Sequence, residues 1–156
     1  MDDKYIEIRS LLDTIEKNGR NYDIDKIKLA FSYAKELHEG QLRLSGEPYI
    51  MHPLAVALIV SKEMGLGSTS ICAALLHDVV EDTDYTVEDI RNLFGDKIAR
   101  IVDGLTKISG GVFGLQASEQ AENFKKLLLT MSEDIRVILI KIADRLHNMR
   151  TLEHMQ

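Results

Sequence analysis

A few histidines and carboxylates set in otherwise apolar sequence are the residues of this 156-residue chain that invite chemistry. Ile71 to Leu76 is wholly apolar and then gives His77 and Asp78 side by side, with Glu81 and Asp82 one helical turn further on. Val137 to Ala143 is apolar except for Lys141 and is followed at once by Asp144. His52 stands directly before Pro53. A segment apolar on every side is a buried one, and a buried carboxylate is costly unless a cation or hydrogen-bond donors offset it. Imidazole and carboxylate together suit a first-row divalent ion such as manganese, iron or zinc, so His52, His77, Asp78 and Asp144 form a candidate ligand set. His77 and Asp78, as helix neighbours, point about 100° apart, and an ion would lie over the arc between them. Each residue also has a plainer account. His52 alone reads as a helix-cap histidine, Asp144 as half of an ion pair with Arg145, and Glu81, Asp82 and Asp84 as a solvated helix end.

The elements that must hold these residues are helical. The apolar period is near 3.6 residues along most of the chain. It predicts helices over Asp3 to Lys17, Ile24 to Glu39, Leu54 to Met64, Ser68 or Thr69 to Val80, Thr86 to Phe94, Asp96 to Ile108, Ser118 to Met131, and from Ser132 onward. Pro53 sits where a first helical turn wants its fixed φ, and Ser68 or Thr69 reads as an N-cap. Gln41 to Met51 and the glycine-bearing stretch from Ser109 to Gln116 read as loops. No strand or repeat pattern is visible, which gives one all-α domain of about seven or eight helices.

Composition narrows the function. Apolar residues make up 45% and charged residues 28%, ordinary for a globular domain. The net charge of −6 disfavours nucleic acid as a main partner. Cys72 is the only cysteine, so neither a disulfide framework nor a cysteine-based zinc site is expected. The apolar runs are too short to span a membrane as a helix, and the cytoplasm is the default expectation for location.

Taken together, the motifs are specific. Gly46 to Pro53 (GEPYIMHP), Ala74 to Thr83 (ALLHDVVEDT), Gly104 to Lys107 (GLTK), Gln120 to Phe124 (QAENF) and Lys141 to Thr151 (KIADRLHNMRT) occur in this order. The stretch from about residue 22 to the end resembles the hydrolase domain of the RelA/SpoT family, within the HD-domain phosphohydrolases. The resemblance implies an HD-domain helical bundle, with Mn²⁺ as cofactor. It implies removal of the 3′-pyrophosphate from the guanine nucleotides ppGpp and pppGpp of the stringent response. By motif, His52, His77, Asp78 and Asp144 would be the metal ligands, and Glu81 and Asp82 the catalytic acidic pair. Arg43, Ser45, Tyr49, Asn148 and Thr151 fall at nucleotide-pocket positions. Lys107, Arg145 and Arg150 are further cations able to balance a polyanionic ligand. Leu44 departs from the pattern, since many relatives carry a basic residue there. The same likeness implies that residues 1–156 are a single hydrolase domain from the N-terminal part of a longer protein, with synthetase and regulatory domains elsewhere. Two other readings stay open: an HD phosphohydrolase for another nucleotide, and a non-catalytic nucleotide-sensing domain.

Overall fold

A computed structural model of the chain describes residues 8–18, 21–43, 46–109 and 135–151. Among the described residues there are eight helices: α1 (Arg9–Asn18), α2 (Ile24–Leu37), α3 (Met51–Lys62), α4 (Ser68–Leu76), α5 (Val79–Asp82), α6 (Val87–Phe94), α7 (Asp96–Ser109) and α8 (Ile135–Arg150). The fold is all-α, and a single bridge between Leu42 and Pro48 is the one extended pairing among those residues. The expected helix over Ser118 to Met131, the glycine-bearing loop before it and Ser45 lie outside the described residues.

Polarity sets each helix's place. Ser70 to Leu76 is buried at every position, and a helix with no polar stripe can only be central. Accordingly α4 packs against α2, α3, α7 and α8. α6 and α7 are strongly two-faced; they bury Ile90, Phe94, Ile98, Ala99, Ile101, Val102 and Leu105 and turn their charges to water. α1 packs on α3 and buries Leu11 and Ile15, with Ile8 buried just before it. No helix of the described residues is long and apolar enough to cross a membrane.

Local chemistry sets the ends. Thr86 and Asp89 close a reciprocal capping box on α6. α3 begins earlier than the periodicity indicates, at Met51, through tight turns in which Met51 N–H donates to Pro48 O at 3.1 Å and His52 N–H to Tyr49 O at 3.0 Å. His52 therefore lies inside the first turn, and Pro53 beside it has no N–H to leave unsatisfied. Ser68 does not cap α4. Gly67 holds that position, and Ser68 Oγ instead accepts the N–H of Asp23 at 2.8 Å, tying the start of α4 to the start of α2. The helix expected to run to Val80 is interrupted after Leu76. His77 and Asp78 form a turn, and α5 restarts with Asp82 N–H on Asp78 O at 2.9 Å.

Candidate metal and nucleotide site

Three helices and one loop build the site. α3 brings His52 in its first turn, and the end of α4 brings His77 and Asp78. α8 brings Asp144, His147 and Asn148, positions three and four residues apart that share one helical face. The loop between α2 and α3 folds back on itself, with Arg43 N–H donating to Glu47 O and Tyr49 N–H to Gln41 O, both at 2.9 Å. Gly46 makes the reversal at φ +92°, a backbone shape that a side chain would strain. This reversal carries Arg43 and Tyr49 over the ends of the three helices.

Three of the four expected ligands, His52, His77 and Asp144, meet at one buried point, and Asp78 lies against His77 beside it. His52 Nε2 lies 2.6 Å from Asp144 Oδ1, and His77 Nε2 lies 3.1 Å from Asp78 Oδ2 and 3.5 Å from Asp144 Oδ1. One donor atom each from His52, His77 and Asp144 falls within 4.8 Å of the others. Asp78 and Asp144 are 8% and 7% exposed, too little for water to solvate two carboxylates. Tyr49 donates its hydroxyl hydrogen to Asp78 Oδ2 at 2.6 Å, and Lys141 Nζ donates to Asp144 Oδ2 at 3.1 Å.

Charge at this point is strongly coupled. Burial alone would raise the Asp78 carboxyl, yet His77 and Tyr49 hold it well below the usual range. Burial likewise opposes ionisation of Asp144, and His52, His77 and Lys141 outweigh it. Burial disfavours charge on His77, but Asp78 and Asp144 raise its pKa well above the ordinary value. Two carboxylates facing two imidazoles thus make a spot that demands positive charge. Burial and the neighbouring carboxylates raise the Tyr49 phenol, so it stays a hydrogen-bond donor.

The donor set fits a divalent ion on a second ground. His77 Nδ1 lies 2.6 Å from the carbonyl of Ala74, an acceptor only, so that nitrogen carries a hydrogen and Nε2 is the nitrogen turned to the carboxylates and free to face an ion. That Nε2 is buried and makes no hydrogen bond. A metal-binding histidine is held in this way, its outer nitrogen tied to an acceptor and its inner nitrogen bare.

Beside the cluster opens a cavity of about 370 Å³ lined by Leu42, Arg43, Tyr49, His52, Asp78, Asp144 and Asn148. Arg43 Nη2 donates to Asn148 Oδ1 at 3.0 Å, bringing together two expected nucleotide contacts from opposite ends of the chain. Glu81 and Asp82 sit on α5, both exposed, one turn beyond Asp78. The Asp82 carboxyl is raised, first by lost hydration and then by the Asp78 charge. The remaining expected contacts are engaged elsewhere. Lys107 pairs with Asp103 at 3.0 Å and Arg150 with both carboxylate oxygens of Glu63, at the surface. The Thr151 hydroxyl donates back to His147 O at 3.0 Å, and Arg145 is exposed.

Two residues at the site have no role in the sequence reading. His147 Nδ1 lies 2.7 Å from His52 Nδ1, and its pKa is lowered to about 4 by burial and by the adjoining His52 and Arg43. His38, 3% exposed, bonds Gln41 Oε1 through Nδ1 at 3.0 Å and packs its ring on Tyr49. The signal for His147 was its place three residues after Asp144, on the same helical face.

An all-helical bundle that closes a His–Asp pair on a second histidine and a distant aspartate defines the HD class of domains. The HD domain family matches residues 30–156, and the chain belongs to that family, among its SpoT-type members. It is 52% identical over 129 residues to the bifunctional (p)ppGpp synthase/hydrolase SpoT of Escherichia coli K12, covering 83% of this chain and 18% of that protein. It is 50% identical over 147 residues to a GTP pyrophosphokinase of Myxococcus xanthus, covering 91% of this chain and 19% of that protein. The chain thus spans about a fifth of the length of these relatives. Among solved structures it resembles a metazoan ortholog of SpoT described as hydrolysing ppGpp, with a TM-score of 0.69 and 31% identity, over 86% of this chain and 74% of that one.

Proposed function

We propose that residues 1–156 form a metal-dependent hydrolase domain that removes the 3′-pyrophosphate of ppGpp and pppGpp, releasing pyrophosphate and GDP or GTP. The observation that carries this reading is the meeting of His52, His77 and Asp144 at one buried point, with Asp78 against His77, beside a cavity that Arg43 and Asn148 line. The relatives' names supply the substrate class.

The four residues would hold the ion, and Mn²⁺ is the ion we assign, consistent with a mixed imidazole and carboxylate set. When bound, it supplies Lewis-acid activation of water and neutralisation of phosphate charge. The chain's own residues do the rest. Asp82, made more basic by lost hydration and by Asp78, accepts the proton of the attacking water, with Glu81 beside it to relay that proton. Tyr49 spends its hydroxyl on Asp78 and so orients that carboxylate. Arg43 offers a guanidinium plane to the purine, and Asn148 offers an amide to its polar edge. Ser45 and Thr151 complete the nucleotide contacts. Lys107 and Arg150 would exchange exposed ion pairs, which water screens, for phosphate oxygens.

Incubation with ppGpp and Mn²⁺ followed by nucleotide chromatography tests the reading. GDP and pyrophosphate in equal amounts are expected. Intact ppGpp bound to a metal-loaded chain would instead identify a nucleotide sensor, and equal turnover of an adenine analogue would refute the guanine assignment.

A further inference from the structure

A guanidinium has donors and no acceptor. Arg43 Nη1 faces His147 Nδ1 at 3.5 Å, while its Nη2 is engaged with Asn148. An N–H at His147 Nδ1 would point hydrogen against hydrogen, so that nitrogen presents its lone pair. His52 Nδ1 lies 2.7 Å from the same atom, a distance at which two imidazole nitrogens share one hydrogen. Because His147 is the acceptor, the hydrogen belongs to His52 Nδ1. A hydrogen on Nδ1 lets Nε2, which lies 2.6 Å from Asp144 Oδ1, give its lone pair to an ion held together with that carboxylate. His77 has the same arrangement by other means, through the Ala74 carbonyl.

We infer that His147 is a positioning residue that locks His52 in its Nδ1–H form, leaving Nε2 for a divalent ion, and that it links the Arg43 end of the cavity to the ion-binding end. One face of α8 therefore supplies a ligand in Asp144, the residue that orients another ligand in His147, and the partner of Arg43 in Asn148. The inference rests on the reading of the buried cluster as a divalent-ion site.

The test uses the full chain and the metal alone. His147→Leu removes the acceptor, whereas His147→Asn returns an amide oxygen near the former Nδ1. Mn²⁺ affinity is measured by competition with a chelating dye, and circular dichroism melts confirm that both variants fold. His147→Leu should weaken Mn²⁺ binding by about 10–100-fold, the usual cost of losing an outer partner of a ligand. His147→Asn should recover most of that loss. In wild-type chain loaded with Zn²⁺ and labelled with ¹⁵N-histidine, a coupling through the hydrogen bond between the two Nδ1 atoms should be visible by NMR. That measurement decides the matter even if His147→Leu does not fold. Unchanged Mn²⁺ affinity in folded His147→Leu, or a hydrogen on His147 Nδ1 in wild type, overturns this inference and leaves the ion site standing. Wild type that binds no divalent ion overturns the site reading itself.

Discussion

Loading the cluster with a divalent ion should stabilise the fold, by an amount that follows from where the charges sit. Asp78 and Asp144 are nearly buried, and the groups facing them hold them ionised. An ion that binds the folded chain alone adds RT ln(1 + [L]/Kd), about 2.7 kcal/mol at a hundredfold excess over Kd. In a chain of this size 1 kcal/mol moves the melting point by about 2–4 °C, so the expected rise is about 5–11 °C. Asp144→Asn keeps the shape and removes the charge that His52, His77 and Lys141 face at 2.6, 3.5 and 3.1 Å. Breaking a buried pair costs about 3–5 kcal/mol. The lower end applies, because Lys141 keeps some contact with water. The metal-free variant should then melt about 6–12 °C below metal-free wild type and should not respond to Mn²⁺. Calorimetric melts with chelator and with Mn²⁺ read both numbers. A wild-type melting point unmoved by Mn²⁺ would refute the reasoning. An equal rise in Asp144→Asn would also refute it, by moving cation binding to exposed acids such as Glu81 and Asp84.

Glu81→Gln and Asp82→Asn should lower turnover of ppGpp by about 10²–10⁴-fold while Mn²⁺ binding stays within a few-fold of wild type; wild-type turnover in both would remove the acidic pair from the chemistry, and loss of metal would move it among the ligands. Arg43→Ala should raise KM for ppGpp more than it lowers kcat, and a fall in kcat alone would show that Arg43 acts on the transition state. Cys72 is fully buried in α4 and burial pushes its thiol up to about 12, so iodoacetamide at mildly alkaline pH should label it only after denaturation; mass spectrometry showing labelling of the native chain would contradict the central place of α4.

Much of the fold was legible because burial leaves a mark on composition. The run from Ile71 to Leu76 has no polar face, so it had to be central, and α4 is. The two-faced patterns of α6 and α7, the Thr86 cap and the early turn at Pro53 follow equally from local rules. The acids at the ends of apolar runs marked Asp78 and Asp144 as buried charges, and the motif resemblance named the set. What a one-dimensional pattern does not carry is the identity of partners on other helices. Ser68 has the chemistry of a cap, but the crossing of α2 over α4 gives its oxygen to Asp23 instead. Lys107 and Arg150 have the charge for a phosphate, and Asp103 and Glu63 take them. His147 looks like any half-buried helix histidine until α3 and the Arg43 loop close on it, bringing partners 95 and 104 positions away to one nitrogen. Periodicity reports which face of a helix leaves water. Only the packing angles of α3, α4 and α8, and the reversal at Gly46, decide which atoms then meet.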